Sequence, residues 1–223
     1  MKGKLYVVSG PSGAGKGTLC KALLERRPAI QLSVSCATRK ARPGEVEGVH
    51  YFFIAEEAFA QKRARGDLLE CAQINGGYWY GTPKDVVLEK LQKGMSVLLE
   101  IENNGAQQVI DQYPETVSVF ILPPDRASLI KRLVDRGTEN LERLTERIKK
   151  VPSELQAAKG YTYLVLNDDV KRGSERLAQV FDGIYETSSA DRARLDALIG
   201  EFSNIDEALF VLTDYYQKTR ARA

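Results

Sequence analysis

The sequence passes from a short apolar strand, residues 5–8, directly into the loop Gly10-Pro11-Ser12-Gly13-Ala14-Gly15-Lys16-Gly17-Thr18. The glycines of this loop allow backbone angles that are closed to other residues, so successive N–H groups can turn inward around an anion. A helical pattern follows at once and puts these N–H groups at a helix N-terminus, where phosphates bind. Strand, loop and helix together predict a P-loop whose nine residues bind a nucleoside triphosphate, with Lys16 reaching the β- and γ-phosphates.

The residue that follows Lys16 departs from the usual P-loop. That position normally supplies a Ser or Thr hydroxyl to Mg²⁺, whereas here it is Gly17, with Thr18 next. We therefore expect Mg²⁺ to be held mainly through phosphate oxygens and water, as it commonly is in nucleotide sites. The Lys-Gly-Thr order resembles that of adenylate kinases, which favours nucleoside monophosphate chemistry over a GTPase switch.

Four largely apolar runs predict the strands of a parallel sheet that is covered on both faces. They are residues 5–8, 97–101, 117–122 and 163–166. Helical patterns separate them, which indicates βαβ units. The sequence thus predicts an α/β fold, a P-loop NTPase-type parallel sheet flanked by helices. One helix should have Thr82 as its N-cap and Pro83 at its first position, and should end at Gly94.

The predicted domain organisation follows from two changes in residue pattern along the chain. Short strand patterns around one helix predict a small inserted subdomain over about residues 33–81, and an arginine-rich excursion predicts a helical flap over about residues 125–159. Together with the core they form one domain, residues 1–188, followed by a helical extension, residues 189–223. The core comprises residues 1–32, 82–124 and 160–188. An apolar stripe in the extension predicts packing on its own domain or, alternatively, a dimer contact. The stripe consists of Ile205, Ala208, Leu209, Leu212 and Tyr216.

Composition and charge argue against several classes of function. The 223 residues carry 32 Lys and Arg against 30 Asp and Glu, so a net charge of +2 draws the chain neither to nucleic acid nor to a membrane surface. No apolar run approaches the roughly 18 residues of a membrane span. The first residues enter a strand pattern rather than a signal peptide, so we expect a cytoplasmic protein. The three cysteines are scattered along the chain and should be reduced and mostly buried. Together with the single histidine, His50, they argue against a zinc cluster. The single histidine also argues against Ser-His-Asp chemistry.

A specific resemblance begins downstream of the loop. The stretch Ser33-Val34-Ser35-Cys36-Ala37-Thr38-Arg39-Lys40-Ala41-Arg42-Pro43-Gly44-Glu45, with Gly48, Tyr51 and Phe53, resembles the guanylate kinase pattern S-x-S-x-x-T-R-x-x-R-x-G-E-x-x-G-x-x-Y-x-F. Further matches to the same family extend the resemblance over residues 4–186. These are Glu70, Tyr80-Gly81-Thr82, Arg132-Leu133-Val134-Asp135-Arg136-Gly137 and Asn167-Asp168-Asp169. The resemblance implies that the insert binds GMP, with Glu45 among its binding residues, and closes over it, and that the flap is a helical lid that delivers arginines as it closes.

The residues of the insert suit a nucleoside monophosphate on chemical grounds as well. Arg39 and Arg42 offer planar guanidinium forks to a nearly dianionic phosphate, and Tyr51 and Tyr80 offer hydroxyls. Guanine presents N1–H and N2–H₂ on one edge, and a single carboxylate can accept both.

For this carboxylate the resemblance implies Glu70, with Ser35 and Thr82 addressing O6 or the neighbouring edge. Adenine has a lone pair where guanine has N1–H, so Glu70 would repel it. A bidentate base contact is worth roughly 1–3 kcal/mol, and rejection grows when groups of the site are left unpaired.

Two carboxylates end the second apolar run. Glu100 and Glu102 are two residues apart and so point to the same face of the strand, at the carboxyl end where α/β folds bind ligands. The family commonly has aspartates here, and the resemblance adds both glutamates to the GMP-binding set. No metal ligand is assigned with certainty, Glu100 being the candidate.

Phosphoryl transfer to an acceptor phosphate needs positioning and charge neutralisation rather than a side-chain base, because the attacking oxygen is already anionic. We assign charge stabilisation to Lys16, Arg39, Arg132, Arg136 and Arg147, of which Arg147 could equally be a helix-surface residue. Asn167 resembles the family residue near the adenine of ATP. The reaction that the resemblance implies is ATP + GMP giving ADP + GDP, with Mg²⁺, in a monomer or a homodimer.

Two other functions remain open at this point. The first is a kinase for another monophosphate or a phosphorylated sugar on the same scaffold. The second is a binding module like the guanylate kinase-like domains of scaffolding proteins, which have lost phosphate chemistry. The intact loop and the lid arginines argue against the module, and Glu70 with Ser35 and Thr82 argues for guanine.

Overall fold

A computed structural model describes residues 3–74, 77–137 and 139–221. Strands and helices alternate along the chain. In order they are β1 (Leu5–Ser9), α1 (Lys16–Arg26), β2 (Ile30–Leu32), β3 (Ser35–Ala37), β4 (Tyr51–Phe53), α2 (Glu56–Arg65), β5 (Leu68–Gln73), β6 (Trp79–Pro83), α3 (Lys84–Gln92), β7 (Ser96–Glu100), α4 (Asn103–Gln112), β8 (Val117–Leu122), α5 (Arg126–Val134), α6 (Leu141–Ala157), β9 (Tyr163–Leu166), α7 (Val170–Asp182), α8 (Ser189–Glu201) and α9 (Ile205–Arg220).

The chain divides into two compact units. Unit 1 comprises Met1–Val8 and Arg26–Ser118, and unit 2 comprises Ser9–Glu25 and Val119–Ala223. The predicted boundaries of core, insert, lid and extension stay a prediction.

Unit 1 contains parallel strands in the order β2-β7-β1. Leu5 to Val8 pair with Val97 to Glu100, and β2 pairs with the other side of β7 from Ile30 opposite Ser96. The middle residues of β7, Val97 to Leu99, are fully buried, as expected for a strand covered on both faces. The prediction of a parallel α/β sheet is confirmed.

A second sheet in unit 1 has the order β4-β3-β6-β5 and falls where the insert was predicted. Strand β3 pairs in parallel with β4 and antiparallel with β6, and β5 pairs antiparallel with β6 as an edge strand. Helix α2 lies between β4 and β5 in sequence and buries Phe59, whose ring is 5.9 Å from that of Trp79.

The predicted start of α3 is wrong. Thr82 belongs to β6, and the helix begins at Lys84 after Pro83, with no side chain capping its N-terminus. The Thr82 hydroxyl donates instead to the Glu70 carboxylate at 2.7 Å. The pairing of β5 with β6 puts Thr82 opposite Glu70, and the Lys84 N–H donates to the Asp67 carbonyl at 2.9 Å, so tertiary contacts outweigh the local capping preference.

Unit 2 contains the parallel pair β8–β9, in register from Val119 opposite Tyr163, together with α1 and α5 to α9. Helices α5 and α6 occupy the predicted helical excursion. The two helices of the C-terminal extension pack against it, α8 on α6 and α9 on both α5 and α6, with Ala208 and Leu212 buried. Packing on its own domain, one of the two predicted roles of the extension, is therefore observed.

Membrane-spanning segments were sought in the part of the chain that the structure describes. None of its helices combines the length and the apolar character that crossing a bilayer requires.

Candidate active site

The predicted P-loop lies at the start of unit 2 and is shaped by its backbone. Gly10, Gly13 and Gly15 have φ of 146°, 88° and 93°, which side chains disfavour. A side chain at Gly10 would also meet the backbone oxygen of Ile121 at 2.6 Å. Helix α1 starts at Lys16, whose Nζ donates to the carbonyl oxygens of Gly10 at 2.5 Å and Pro11 at 3.4 Å. The ammonium group therefore folds back over its own loop.

Two residues from later in unit 2 hold this loop at Ala14. The amide of Asn167 donates to the Ala14 carbonyl at 2.7 Å, and this side chain is only 2% exposed. The guanidinium of Arg132 donates to the same carbonyl at 3.3 Å and to the Asn167 carbonyl at 3.0 Å. A Cβ on Gly15 would overlap the Asn167 amide nitrogen. The amide thus lies directly beneath the loop.

The other lid residues differ in their surroundings. Arg147, on α6, donates to the Ser12 hydroxyl at 2.5 Å and to Glu139 at 2.6 Å, so it touches the loop rather than only covering a helix surface. Arg136 follows α5 and is exposed, as are Gly17 and Thr18 at the start of α1.

In unit 1 the predicted phosphate-binding arginine is built into a network. Arg39 is 8% exposed, and its Nη1 and Nη2 donate to the two oxygens of Glu45 at 2.5 and 2.7 Å. Its Nε donates to the Tyr80 hydroxyl at 2.9 Å. The Arg39 guanidinium holds the pKa of the Glu45 carboxyl at about 2, and this pairing raises the pKa of Arg39 further above its usual value.

Aromatic rings and a backbone contact complete this Arg39 cluster. The guanidinium carbon lies 5.1 Å from the centre of the Tyr51 ring, and the Tyr51 and Tyr80 rings meet edge-on at 5.7 Å. Burial raises the pKa of the Tyr51 hydroxyl, which therefore stays protonated and able to donate. The Arg42 N–H donates to Glu45 at 2.8 Å, while the Arg42 side chain is exposed.

A second cluster in unit 1, formed by Glu70, Thr82 and Ser35, contains the predicted base-reading carboxylate. Glu70 is 5% exposed on β5 and accepts from the Thr82 hydroxyl, which lies 3.4 Å from the Ser35 hydroxyl. Burial raises the pKa of Glu70 to about 7, against the lowering effect of its hydrogen bonds with Thr82. The structure thus brings the three residues predicted to read guanine into contact with one another.

The carboxylates at the end of β7 are both exposed. Glu100 is among the charges that act on the Tyr51 hydroxyl, which puts it near the Arg39 cluster. Glu102 is the residue before the first turn of α4.

Sequence reasoning missed α4 and with it two residues beside Glu70, namely Gly105 and Gln108. No helix was predicted between residues 101 and 117. The apolar spacing of Ala106, Val109, Ile110 and Tyr113, at i, i+3, i+4 and i+7, is the signal that could have found it. Glu139, the partner of Arg147, carries no such signal because it lies before α6, outside the helical spacing that would put it beside Arg147.

Known proteins resemble this chain over most of its length. The family model described as guanylate kinase matches residues 2–183. The guanylate kinase of Clostridioides difficile (strain 630) is 49% identical over 79% of this chain and 85% of its own length. That of Symbiobacterium thermophilum is 45% identical over 80% of this chain and 84% of its own length. The crystal structure of guanylate kinase from Anaplasma phagocytophilum matches with a TM-score of 0.67 and 31% identity, over 84% of this chain and 88% of that one.

A glycine-shaped loop at the head of a helix, in an alternating α/β chain with parallel strands, is typical of the P-loop NTPase fold class. Within that class, the chain belongs to the guanylate kinase family.

Proposed function

We propose that the two sets of residues described above carry out the reaction of the guanylate kinase family in this chain. The chain is an ATP:GMP phosphotransferase, which moves the γ-phosphate of ATP to GMP and gives ADP and GDP. The observation that carries the residue assignment is the Glu70 carboxylate, buried together with the Thr82 and Ser35 hydroxyls.

Glu70 reads the guanine base. A carboxylate has about four acceptor sites, so it can take N1–H and N2–H₂ of guanine in addition to the Thr82 hydroxyl. In this role Glu70 must be ionised. Ser35 and Thr82 then meet the O6 side of the base. Adenine would bring a lone pair against the buried carboxylate and would not supply the two donors that guanine offers, which is a costly outcome for a buried polar group.

The Arg39 cluster binds the phosphate of GMP. Glu45 and Tyr80 fix the Arg39 guanidinium in one orientation, so less side-chain entropy is lost when the anion binds. Tyr51 and Tyr80 supply hydroxyls, and the exposed Arg42 turns onto the anion as it arrives. Glu45, predicted as a GMP-binding residue, acts mainly by positioning Arg39.

The phosphates of ATP bind the P-loop, residues 10–18. The Lys16 ammonium exchanges the carbonyl oxygens of Gly10 and Pro11 for the β- and γ-phosphate oxygens. Arg132 and Arg147 already touch the loop and neutralise charge there, and Arg136 joins them from its exposed position after α5. Asn167 supports the loop beneath Ala14, in addition to the contact with adenine that the family resemblance implies.

No side chain is needed to remove a proton, because the phosphate of GMP is already anionic at neutral pH. The protein contributes alignment of the two nucleotides and positive charge around the transferred group. Closure of the lid over the nucleotides excludes water, which would otherwise take the γ-phosphate.

Mg²⁺ is the divalent ion that this reaction calls for. It neutralises charge on the phosphates when bound. The residues present fit an ion held mainly by phosphates and water, because Gly17 replaces the usual hydroxyl and one exposed carboxylate, Glu100, offers the oxygen ligand that Mg²⁺ prefers. We further propose that the chain works in the cytoplasm, as a monomer or a homodimer. Cys20, Cys36 and Cys71 are thiols rather than disulfide partners, which suits a reducing compartment.

The test is coupled ADP formation from ATP and Mg²⁺ with GMP, AMP, CMP and UMP at equal concentration. We expect turnover with GMP and little with the others. Glu70→Gln should lower kcat/KM for GMP by about 10- to 100-fold, as roughly 1–3 kcal/mol of base contact is lost. Equal use of AMP and GMP by the parent protein, or an unchanged kcat/KM in Glu70→Gln, would contradict the assignment of Glu70.

A further inference from the structure

We propose that helix α4 positions the Glu70 carboxylate through Gly105 and Gln108, and that these two residues thereby set the discrimination between guanine and other bases. The proposal rests on the proposed function, in which Glu70 reads the base. Neither residue is assigned to touch a substrate, so both are positioning residues.

Glycine at position 105 is explained by the space it leaves and not by an unusual backbone conformation. It is buried as the third residue of α4, and its φ is not in the left-handed region. Alanine at such a position would favour the helix by about 1 kcal/mol, so the backbone gives no reason for glycine here. A Cβ on Gly105, however, would overlap Oε2 of Glu70 and come within 2.9 Å of its carboxyl carbon. The carboxylate therefore lies directly on the helix backbone, in space that any side chain would fill.

Gln108 fixes the strand that carries Glu70. Its Oε1 accepts from the Cys71 N–H at 3.1 Å, and its Nε2 donates to the Cys71 carbonyl at 2.9 Å. Cys71 directly follows Glu70 on β5, the edge strand of the four-stranded sheet. One side-chain amide thus satisfies both backbone groups of an edge residue, as a neighbouring strand would. The same Nε2 also donates to the Asn104 carbonyl at 3.1 Å, which ties the amide to the first turn of α4.

The two residues of α4 constrain both the side chain of Glu70 and the backbone that carries it. Gly105 sets the depth at which its carboxylate lies, and Gln108 fixes the backbone one residue further along the strand. A carboxylate that accepts two adjacent donors needs both oxygens in place, and a displacement of about 1 Å in such a site can cost on the order of 100-fold in rate. Neither substitution below changes the charge of Glu70, so their effects report its position.

The experiment compares Gly105→Ala and Gln108→Ala with two matched controls. Gly200→Ala adds the same methyl group to α8, where nothing lies within 4 Å. Gln107→Ala removes the neighbouring amide, which is exposed and donates to Asp111 of its own helix. Steady-state kcat and KM are measured with GMP and with IMP, which lacks the 2-amino group, together with KM for ATP and the urea midpoint of unfolding.

We expect both α4 variants to lower kcat/KM for GMP by tenfold or more and for IMP by clearly less, because IMP makes only part of the carboxylate contact. KM for ATP should stay within twofold of the parent, and both controls should match the parent throughout. The urea midpoint of Gly105→Ala should not account for the loss. An unchanged GMP to IMP ratio in both α4 variants would overturn the proposal, and if Gly105→Ala does not fold, Gln108→Ala decides alone.

Glu70→Gln separates this proposal from the proposed function. If Glu70→Gln leaves the GMP to IMP ratio of the parent intact, Glu70 does not read the base, and the part of the proposed function that assigns base recognition to Glu70 fails. If it abolishes that ratio while Gly105→Ala and Gln108→Ala preserve it, Glu70 reads the base and only the role of α4 is wrong.

Discussion

The predicted phosphate loop of unit 2 is shaped by its backbone, whereas the two residue clusters of unit 1 are built from side chains that bond to one another. Gly10, Gly13 and Gly15 shape the loop, and the side chains of Asn167 and Arg132 donate to its Ala14 carbonyl. In unit 1, Arg39 pairs with Glu45 and Tyr80, and Glu70 pairs with Thr82.

The difference follows from what each region has to recognise. Every nucleoside triphosphate presents the same phosphates, so backbone N–H groups and positively charged side chains such as Lys16 can bind them whatever the base is. A base is distinguished only by the donors and acceptors on its edges, so side chains of defined geometry are required. Substitutions in the loop should therefore alter whether phosphate is transferred, and substitutions around Glu70 should alter to which acceptor.

The largest effect is expected from Lys16→Ala. Removing this ammonium should lower kcat by roughly 100- to 1,000-fold with every acceptor that the parent uses, the range typical for loss of one charge-stabilising contact. Because Lys16 has no part in reading the base, the ratio of kcat/KM for GMP to that for IMP should stay the same. Coupled ADP formation measures both quantities.

Lys21→Ala is the control for this prediction. Lys21 is an exposed lysine of the same helix, so its removal changes the net charge equally and should leave turnover unchanged. A change in the ratio of kcat/KM for GMP to that for IMP in Lys16→Ala would show that the loop also affects base recognition, and would contradict the separate roles of the two regions.

The next prediction concerns pH. Because Glu70 must be ionised to accept guanine and its pKa is raised to about 7 by burial, affinity for GMP should fall as the pH drops below 7, approaching tenfold per pH unit. Calorimetric titration of GMP from pH 5.5 to 8.5 measures this. Glu70→Gln keeps the titration of the GMP phosphate, near pH 6, so the difference between the two profiles isolates Glu70. Parallel profiles would contradict the prediction.

The stability of the folded protein should also depend on the ionisation of Glu70, but in the opposite direction: it should fall as the pH rises, whereas affinity for GMP should increase. A carboxyl whose pKa is raised in the folded state contributes stability below its ordinary value of 4.5 and loses it as the pH rises through about 7. The free energy of unfolding of the parent should therefore decrease from pH 5 to pH 8 by more than that of Glu70→Gln, as urea titrations would measure.

The two regions also differ in how much of them the sequence predicts. The phosphate loop is nine consecutive residues, and each glycine constrains the backbone locally, so its place and shape can be inferred from sequence alone. The contacts of Arg132 and Asn167 with Ala14 could not be inferred, because an arginine or an amide that binds phosphate and one that binds a carbonyl oxygen look the same in sequence. Their predicted roles toward ATP stay predictions.

Around Glu70 the residues could be named but their arrangement could not. The contact of Glu70 with Thr82 depends on the pairing of β5 with β6, and its contact with Gly105 depends on a helix that begins with a turn-like sequence. Thr82 is an example. Its position before Pro83 favours a role as a helix N-cap, and only the pairing of the two strands reveals that its hydroxyl donates to Glu70 instead. Long-range register is the information that a single sequence lacks.

The smallest effect is expected in the C-terminal extension, which lies outside both regions. Arg126, at the start of α5, donates to the Glu201 carbonyl at 2.7 Å and to the Glu207 carboxylate at 2.6 Å, and it is largely buried at 18% exposure while Glu207 is 54% exposed. Hydrogen bonds to charged groups contribute roughly 1.5–3 kcal/mol when shielded, and exposed ion pairs contribute little. Arg126→Ala should therefore lower the free energy of unfolding by about 1–2 kcal/mol.

The exposed pair of Lys218 with Asp214, within α9, provides the matched control. Lys218→Ala should change the free energy of unfolding by less than about 0.5 kcal/mol. Neither variant should alter the GMP to IMP ratio, because Arg126 and Lys218 contact neither the loop nor Glu70 in the described residues. A lower kcat in Arg126→Ala, with a free energy of unfolding equal to that of the parent, would contradict this prediction. The extension would then act on the lid arginines of α5 and α6 rather than only hold these helices in place. It would count as a third functional region beside the loop and the Glu70 cluster.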